Sequence, residues 1–195
     1  MGAILKRELS SYFNSATAYV VMAVYFFFSG LFFYTYCFAY NSASLAGVYG
    51  NMFYIIMFII PIITMKTFAE EKRQKTDQAL LTAPTSLTEI VLGKFLGAFI
   101  LYLICSCIYL VYAVIISFFT TPEWSIILCT FLGVVLLGAS LIAINVFISV
   151  LTESMIIAAV FGMAVGLLIS MMSYFASMIS ISWISNALKA ISFME

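Results

Sequence analysis

The sequence has very little charge and no histidine. Of its 195 residues, 8% are charged and 65% are hydrophobic, whereas soluble domains carry about 25% charged residues. A soluble globule is excluded, because a body of this size cannot bury so much apolar surface. The basic and acidic residues balance at eight each, which leaves no excess positive charge to bind a nucleic-acid backbone.

These absences also exclude the common enzyme chemistries. Without histidine the chain has no imidazole base and no imidazole metal ligand. The cysteines lie inside apolar runs without a C-x-x-C pair, so we interpret them as buried hydrophobes. They are Cys37, Cys105, Cys107 and Cys129. The sequence also lacks a phosphate-binding loop and a G-x-S-x-G nucleophile turn. We therefore predict no catalytic residue, no cofactor site and no metal site in this chain.

Long apolar runs predict five membrane-spanning helices. A bilayer core about 30 Å thick needs roughly 20 apolar residues in a helix, and a helix satisfies its own backbone where water is absent. The predicted spans are residues 17–40, 51–65, 95–119, 125–151 and 155–181. We expect an all-α, polytopic helical bundle that forms a single transmembrane domain over residues 1–195.

Basic residues are concentrated on one predicted side of the membrane. Seven of the eight precede the first span or lie between the second and third spans, and only Lys189 falls on the other side. Positive residues are retained in the cytoplasm. We therefore expect a multi-pass membrane protein with its N-terminus in the cytoplasm.

The segment before the first span, residues 1–16, has the pattern of a short amphipathic helix. Its apolar residues recur at helical spacing opposite Lys6 and Arg7; they are Ile4, Leu5, Leu9, Tyr12 and Phe13. Such a helix lies in the membrane interface with its cations near anionic headgroups. A frayed terminus is the alternative.

The segment of residues 66–94 contains the densest charge. Seven of the 16 charges fall within residues 66–77, in pairs at i,i+3 or i,i+4 spacing that predict a helix continuing the second span. The pairs are Glu70 with Arg73, Glu71 with Lys75, and Arg73 with Asp77. Pro84 ends this helix, and Ser86 and Glu89 have the spacing of a capping box that begins the next one. We predict a cytoplasmic helical hairpin with a charged tip; a solvated loop is the alternative.

Inside the spans, a few residues depart from the apolar pattern. Pro61 predicts a kink in the second helix, which is either a hinge or a static bend. Asn145 is expected to hydrogen-bond across helices or to line a pathway. The pairs Gly93-x-x-x-Gly97 and Gly162-x-x-x-Gly166 permit close helix packing. No Asp, Glu, Lys or Arg lies near the middle of a span, so the energy for any transport has to come from another chain.

The charged hairpin resembles the segment between the second and third spans of ABC-2 type transporter permeases. The resemblance is carried by the run FAEEKRQKTDQALLTAP at residues 68–84 and by EIVLGK at residues 89–94. Among these permeases it particularly resembles the permease subunit associated with bacterial gliding motility. The interfacial helix before the first span fits the same family.

The resemblance implies a permease subunit of an ATP-driven exporter, which is not itself an enzyme. ATP would be bound by a separate cytoplasmic ATPase subunit, and a second permease copy or paralogue would complete a dimer in the lipid of the bacterial inner membrane. The coupling helix that docks on the ATPase would contain Glu70, Glu71, Arg73, Thr76, Leu80 and Leu81. A membrane anchor or assembly subunit without transport activity is the alternative, and a membrane-embedded enzyme is the third reading.

The chain departs from this family in two respects. Lys75 stands where many relatives have glycine, and the family has six spans where this sequence predicts five. Residues 184–194 form an amphipathic stretch expected on the outer side. We therefore expect either a fragment that lacks a sixth span or a short variant.

Overall fold

The computed structural model describes residues 2–40, 44–74, 86–119 and 122–178, and every regular element within these ranges is helical. The helices are α1 (Gly2–Phe13), α2 (Ala16–Phe33) followed by a π-helical segment (Tyr34–Ala39), α3 (Ala46–Thr64), α4 (Ala69–Gln74), α5 (Leu87–Ser106), α6 (Ile108–Ser117), α7 (Trp124–Leu151) and α8 (Met155–Met178). The predicted all-α class is confirmed.

The predicted spans coincide with these helices. Four helical stretches are long and apolar enough to cross a membrane: Ala16–Ala39, Ala46–Arg73, Leu87–Ser117 and Trp124–Leu151. The fifth predicted span coincides with α8, whose apolar part at Met155–Met171 is shorter. The chain is a multi-pass membrane protein. The amphipathic stretch predicted at residues 184–194 lies outside the described residues.

Two predicted boundaries are wrong. Helix α3 begins at Ala46, five residues before the predicted start of the second span, and it ends at Thr64. The charged helix α4 follows α3 within the stretch Ala46–Arg73, but the predicted continuous helix is interrupted, because residues 65–68 form a turn and a bend. The Thr67 hydroxyl and the Thr67 amide both donate to the Thr64 carbonyl, at 2.7 and 3.0 Å. These local bonds stabilise a turn in place of a further helical turn.

The third predicted span is one apolar stretch that contains two helices. As predicted, Ser86 caps the start of helix α5, because the Ser86 hydroxyl accepts a hydrogen bond from the Glu89 amide at 3.3 Å. Helix α5 then runs through Gly93 and Lys94 into the membrane, and a turn at Cys107 separates it from α6. The structure thus adds one interruption that the uniform apolar pattern did not indicate.

Helix α3 lies at the centre of the bundle, in contact with α2, α7 and α8. Its side chains Met52, Ile56 and Ile60 are fully buried. Several buried hydroxyl groups bond to one another or to backbone: Tyr25 donates to Tyr109 at 3.0 Å, and Tyr102 donates to the Val134 carbonyl at 2.8 Å. Such pairing is needed because an unsatisfied polar group costs several kcal/mol within a bilayer.

Helix α1 packs lengthwise on α5, along the surface that Gly93 and Gly97 create. A Cβ atom at Gly93 would lie 2.7 Å from Cγ2 of Ile4, and one at Gly97 would lie 3.0 Å from Cβ of Glu8. The segment predicted to be an interfacial helix is therefore helical, and its buried stripe is Ile4, Glu8 and Tyr12. The glycine pair predicted close packing, and its partner is α1.

Replacing Gly97 by Leu should displace α1 from α5. The added side chain would overlap Glu8, and such overpacking costs about 1–3 kcal/mol. Thermal unfolding of the purified chain in detergent measures this loss. Gly133→Leu is the matched control, since a Cβ at Gly133 meets nothing within 4 Å. Equal stability of the two variants would contradict the close contact between α1 and α5.

Candidate functional site

The candidate site is the end of the bundle where α1, α4 and α5 meet, which we call the charged end. At its centre lies Lys94 of α5, whose side chain is 1% exposed. Its Nζ atom is 2.9 Å from Glu71 Oε2 and 3.2 Å from Glu8 Oε1. The ammonium also donates to the Thr67 carbonyl and lies 4.9 Å from the centre of the Phe68 ring. One buried cation thus joins three helices and the turn before α4.

The charges around Lys94 nearly compensate one another. Glu71 lies between two cations, because its other oxygen, Oε1, is 3.5 Å from Arg7 Nη2. The side chain of Arg7 is 59% exposed and that of Glu71 only 14%. Burying a charge is tolerated only when it is paired and hydrogen-bonded. The contacts of Lys94 satisfy that condition, so we define Glu8, Glu71 and Lys94 as the buried ion cluster.

Tyr12 fixes the far end of α1 to α3. Its buried hydroxyl donates to the Ile63 carbonyl at 3.2 Å. Burial raises the pKa of this hydroxyl well above its ordinary value, and the nearby Glu8 carboxylate raises it further. Tyr12 therefore remains a neutral donor at any physiological pH.

Helix α4 and the end of α7 cap each other. The buried Ser149 hydroxyl of α7 accepts the amides of Phe68 and Ala69, at 3.2 and 3.1 Å, where α4 begins. In return, the Lys72 ammonium donates to the Val150 carbonyl near the end of α7. Free amides at a helix start and free carbonyls at a helix end both need partners. The reciprocal caps therefore attach α4 to the fourth predicted span as well as to α5.

A polar cleft of about 430 Å³ opens beside the buried ion cluster. Its lining contains three cations, three carboxylates and several hydroxyl or amide groups. The lining residues are Arg7, Glu8, Ser11, Tyr12, Asn14, Ser15, Lys66, Thr67, Glu70, Glu71 and Lys94. Within the described part of the chain, no three His, Cys, Asp or Glu side chains are grouped so as to hold a metal ion.

The family model for ABC-2 family transporter proteins matches residues 7–194. The chain belongs to the ABC-2 transporter family. It is therefore a membrane permease component of ABC transporters, and the resemblance seen in the charged segment holds over nearly the whole sequence. No curated protein and no solved structure matches the chain.

The ABC-2 fold places the predicted coupling residues in different surroundings. Glu71 belongs to the buried ion cluster, Glu70 lines the cleft, and Arg73 is exposed on α4. The remaining predicted residues of the coupling helix, Thr76, Leu80 and Leu81, lie outside the described residues, as does Lys75. Among the predicted docking residues that are described, Arg73 is the most accessible to a partner.

Sequence reasoning missed three residues of this ABC-2 site: Glu8, Lys94 and Ser149. A signal existed for Glu8, which shares the helical stripe of Ile4 and Tyr12 and therefore faces the same neighbour. Lys94 directly follows Gly93 at the close contact with α1. Ser149 carried no such signal, because a serine near the end of an apolar helix is common.

The other two predicted residues of the ABC-2 chain lie deeper in the bundle. Asn145 is buried in α7, and its amide donates to the Leu141 carbonyl of the same helix at 2.8 Å. The Oδ1 atom of Asn145 is buried without a hydrogen-bond partner among the described residues. The Asn145 side-chain oxygen instead faces Gly162 of α8, where an added Cβ would overlap it and would also lie 3.2 Å from Pro61 Cβ. Three helices thus meet at Pro61, Asn145 and Gly162.

Replacing Lys94 by Met should destabilise the chain by about 3–5 kcal/mol. The change leaves Glu8 and Glu71 close together without their shared cation, and breaking a buried pair costs this much. The combined change Lys94→Met, Glu8→Gln and Glu71→Gln should recover a large part of the loss, because no buried charge is then left unpaired. Thermal unfolding in detergent is the measurement, with Lys6→Met on the exposed face of α1 as control. A loss below about 1 kcal/mol in Lys94→Met would contradict the cluster.

Replacing Ser149 by Ala should loosen the start of α4. Loss of an N-cap costs about 1 kcal/mol, so the amides of Phe68 and Ala69 should exchange hydrogen about fivefold faster. Hydrogen exchange read by mass spectrometry over residues 66–74 measures this. Ser140→Ala is the matched control, since the Ser140 hydroxyl donates to Leu137 within α7. Unchanged exchange in Ser149→Ala would contradict the cap.

Proposed function

We propose that this chain is the permease subunit of an ATP-driven ABC-2 exporter and that α4 begins the helix that docks on a separate ATPase subunit. The observation that carries this proposal is the attachment of α4. Within a short distance it is joined to α5 by Glu71 and Lys94, to α1 by Glu71 and Arg7, and to α7 by Ser149. A solvated connecting loop does not need three such attachments.

The charged end faces the cytoplasm in this proposal. Seven of the eight basic residues fall in α1, α4 and the neighbouring segments that the sequence assigns to one side, and positive residues are retained in the cytoplasm. The chain then lies in the bacterial plasma membrane with its N-terminus inside, where a soluble ATPase can reach α4.

Coupling follows from the connections of α4. When the docked ATPases close on ATP, movement of α4 is passed to α1 and α5 through the buried ion cluster and to α7 through the reciprocal caps. A second permease copy or paralogue completes the cavity whose opening changes sides. The junction of Pro61, Asn145 and Gly162 is where the central helix α3 meets α7 and α8, and we assign Pro61 a hinge role there.

Two predicted features remain predictions. The coupling helix is expected to extend to Leu81, and the closer resemblance to gliding-motility permeases would place this chain in that export system. No charged side chain in the middle of the spans indicates which substrate is moved. The aromatic and aliphatic side chains of the spans are compatible with a lipid-like cargo.

Reversing the charge of Arg73 tests the docking role. Arg73→Glu leaves the buried ion cluster intact and should weaken ATPase retention at least tenfold, because losing a charge contact at a docking surface costs about 2–5 kcal/mol when the pair is buried. Glu71→Lys is a poorer test, since it would also place a second ammonium beside Lys94. Co-purification of an ABC-type ATPase with the chain from the cells that naturally produce it is the measurement.

The control for this experiment is Lys6→Glu, which makes the same charge change at an exposed position of α1. It should insert and retain the ATPase like the unmodified chain. Normal ATPase retention and normal export in Arg73→Glu would refute α4 docking. Retention of an ATPase without ATP-dependent export by the unmodified chain would favour the anchor function.

A further inference from the structure

Helix α8 is attached to the bundle differently from the other spans. Among the side chains that the structure describes, none on α8 hydrogen-bonds to another helix. The buried Ser170 hydroxyl donates to the Leu167 carbonyl of its own helix at 2.8 Å. By contrast, Tyr102 joins α5 to the Val134 carbonyl of α7, and similar bonds attach α2 and α3 to their neighbours. In the described part of the chain, α8 is therefore held against α3 and α7 by packing without hydrogen bonds.

The surface of α8 at this contact is made by glycine. Gly162 lies against Asn145 of α7 and Pro61 of α3, and Gly166 lies one turn further along the same face. A Cβ atom added at Gly166 would lie 4.0 Å from Met57 Cγ of α3. Interlocking side chains resist sliding between two helices, and a glycine face has none to interlock. Helix α8 can therefore shift along α3 and α7 with little loss of packing at this surface.

Asn145 places an unpaired polar atom on this contact. The residue is 3% exposed, and its amide nitrogen donates to the Leu141 carbonyl within α7. Its Oδ1 atom faces Gly162 and is buried with no hydrogen-bond partner among the described residues. Neither neighbour supplies a donor, because Gly162 presents its Cα atom and Pro61 has no backbone N–H group. An unpaired acceptor is costly inside a bilayer, so the described conformation carries a cost that an apolar residue at this position would not have.

We propose that α8 shifts at Gly162 and Gly166 between two conformations of the permease and that Asn145 keeps these conformations close in free energy. The unpaired oxygen raises the free energy of the described conformation. A shift of α8 away from Asn145 uncovers this oxygen to water, which removes the cost. The free-energy difference between two conformations sets their populations. The role in transport rests on the proposed exporter function, whereas the cost at Asn145 is a property of the chain itself.

Thermal unfolding of the full chain in detergent tests the cost at Asn145. Asn145→Val removes the unpaired oxygen and should raise the unfolding midpoint by about 2–4 °C, the shift expected for one such group in a chain of this length. Thr64→Val is the matched control, because the Thr64 hydroxyl is paired with the Ile60 carbonyl at 2.9 Å and its loss should not raise the midpoint. Asn145→Ala, which adds no atom near Gly162, is measured in parallel. A lower midpoint in both Asn145 variants would overturn the proposal.

Disulfide trapping tests the shift itself. In a cysteine-free background, Met57→Cys with Gly166→Cys should cross-link α8 to α3 and abolish most of the ATP hydrolysis by the co-purified ATPase until the disulfide is reduced. Ile4→Cys with Gly93→Cys is the control, since it links α1 to α5, which the buried ion cluster already joins. Undiminished hydrolysis in the trapped chain, or equal losses in both cross-linked chains, would overturn the shift. If no ATPase co-purifies, the exporter function fails, and the midpoint of Asn145→Val still decides the cost at Asn145.

Discussion

The buried ammonium of Lys94 is the interaction on which the charged end depends. An ion of this kind costs several kcal/mol to remove from water, so its position is stable only while Glu8, Glu71 and the Thr67 carbonyl all remain in place. Helix α1 cannot leave α5 without separating Glu8 from Lys94, and α4 cannot leave without removing Glu71. The positions of α1, α4 and α5 therefore depend on one another. Losing any one of these contacts leaves a buried charge unpaired, which destabilises the remaining contacts.

This constraint explains how a helix as short as α4 has a defined place. A six-residue helix is too short to be stable in water, and α4 has little apolar surface of its own. Its stability comes from Glu71 on one side and from the exchange of caps with Ser149 and the Val150 carbonyl on the other. In the proposed exporter the same attachments transmit a movement of α4 to α1, α5 and α7, because a displacement of α4 would strain its contacts with all three helices.

The sequence predicted the features that depend on interactions within one helical turn or on the thickness of the bilayer. Span positions follow from apolar length, and the cap at Ser86 follows from spacing within one turn, so both were predictable. The buried ion cluster was not predictable from the sequence, because Glu8 and Lys94 lie 86 residues apart. Helical spacing relates only residues on one helix. Charge pairing within the hairpin suggested Lys75 as a partner of Glu71, and Lys75 lies outside the described residues; the contacts of Glu71 with Lys94 and Arg7 were not suggested by any spacing. The glycine pair at Gly93 predicted close packing without indicating which helix would fill it.

Burial divides the charges of this end into two groups with different physical behaviour. Lys94, Glu8 and Glu71 are shielded from solvent, and ions in solution screen such pairs weakly. Arg73 projects into solvent and Lys66 lines the polar cleft, so their attraction for a charged partner is screened at physiological ionic strength, where the Debye length is about 8 Å. The buried group therefore maintains the architecture over a wide range of salt concentration, while the accessible group forms contacts that strengthen or weaken with the ionic conditions. A surface that has to hold its shape and also bind and release partners needs both groups, which the 66–94 segment and α1 supply together.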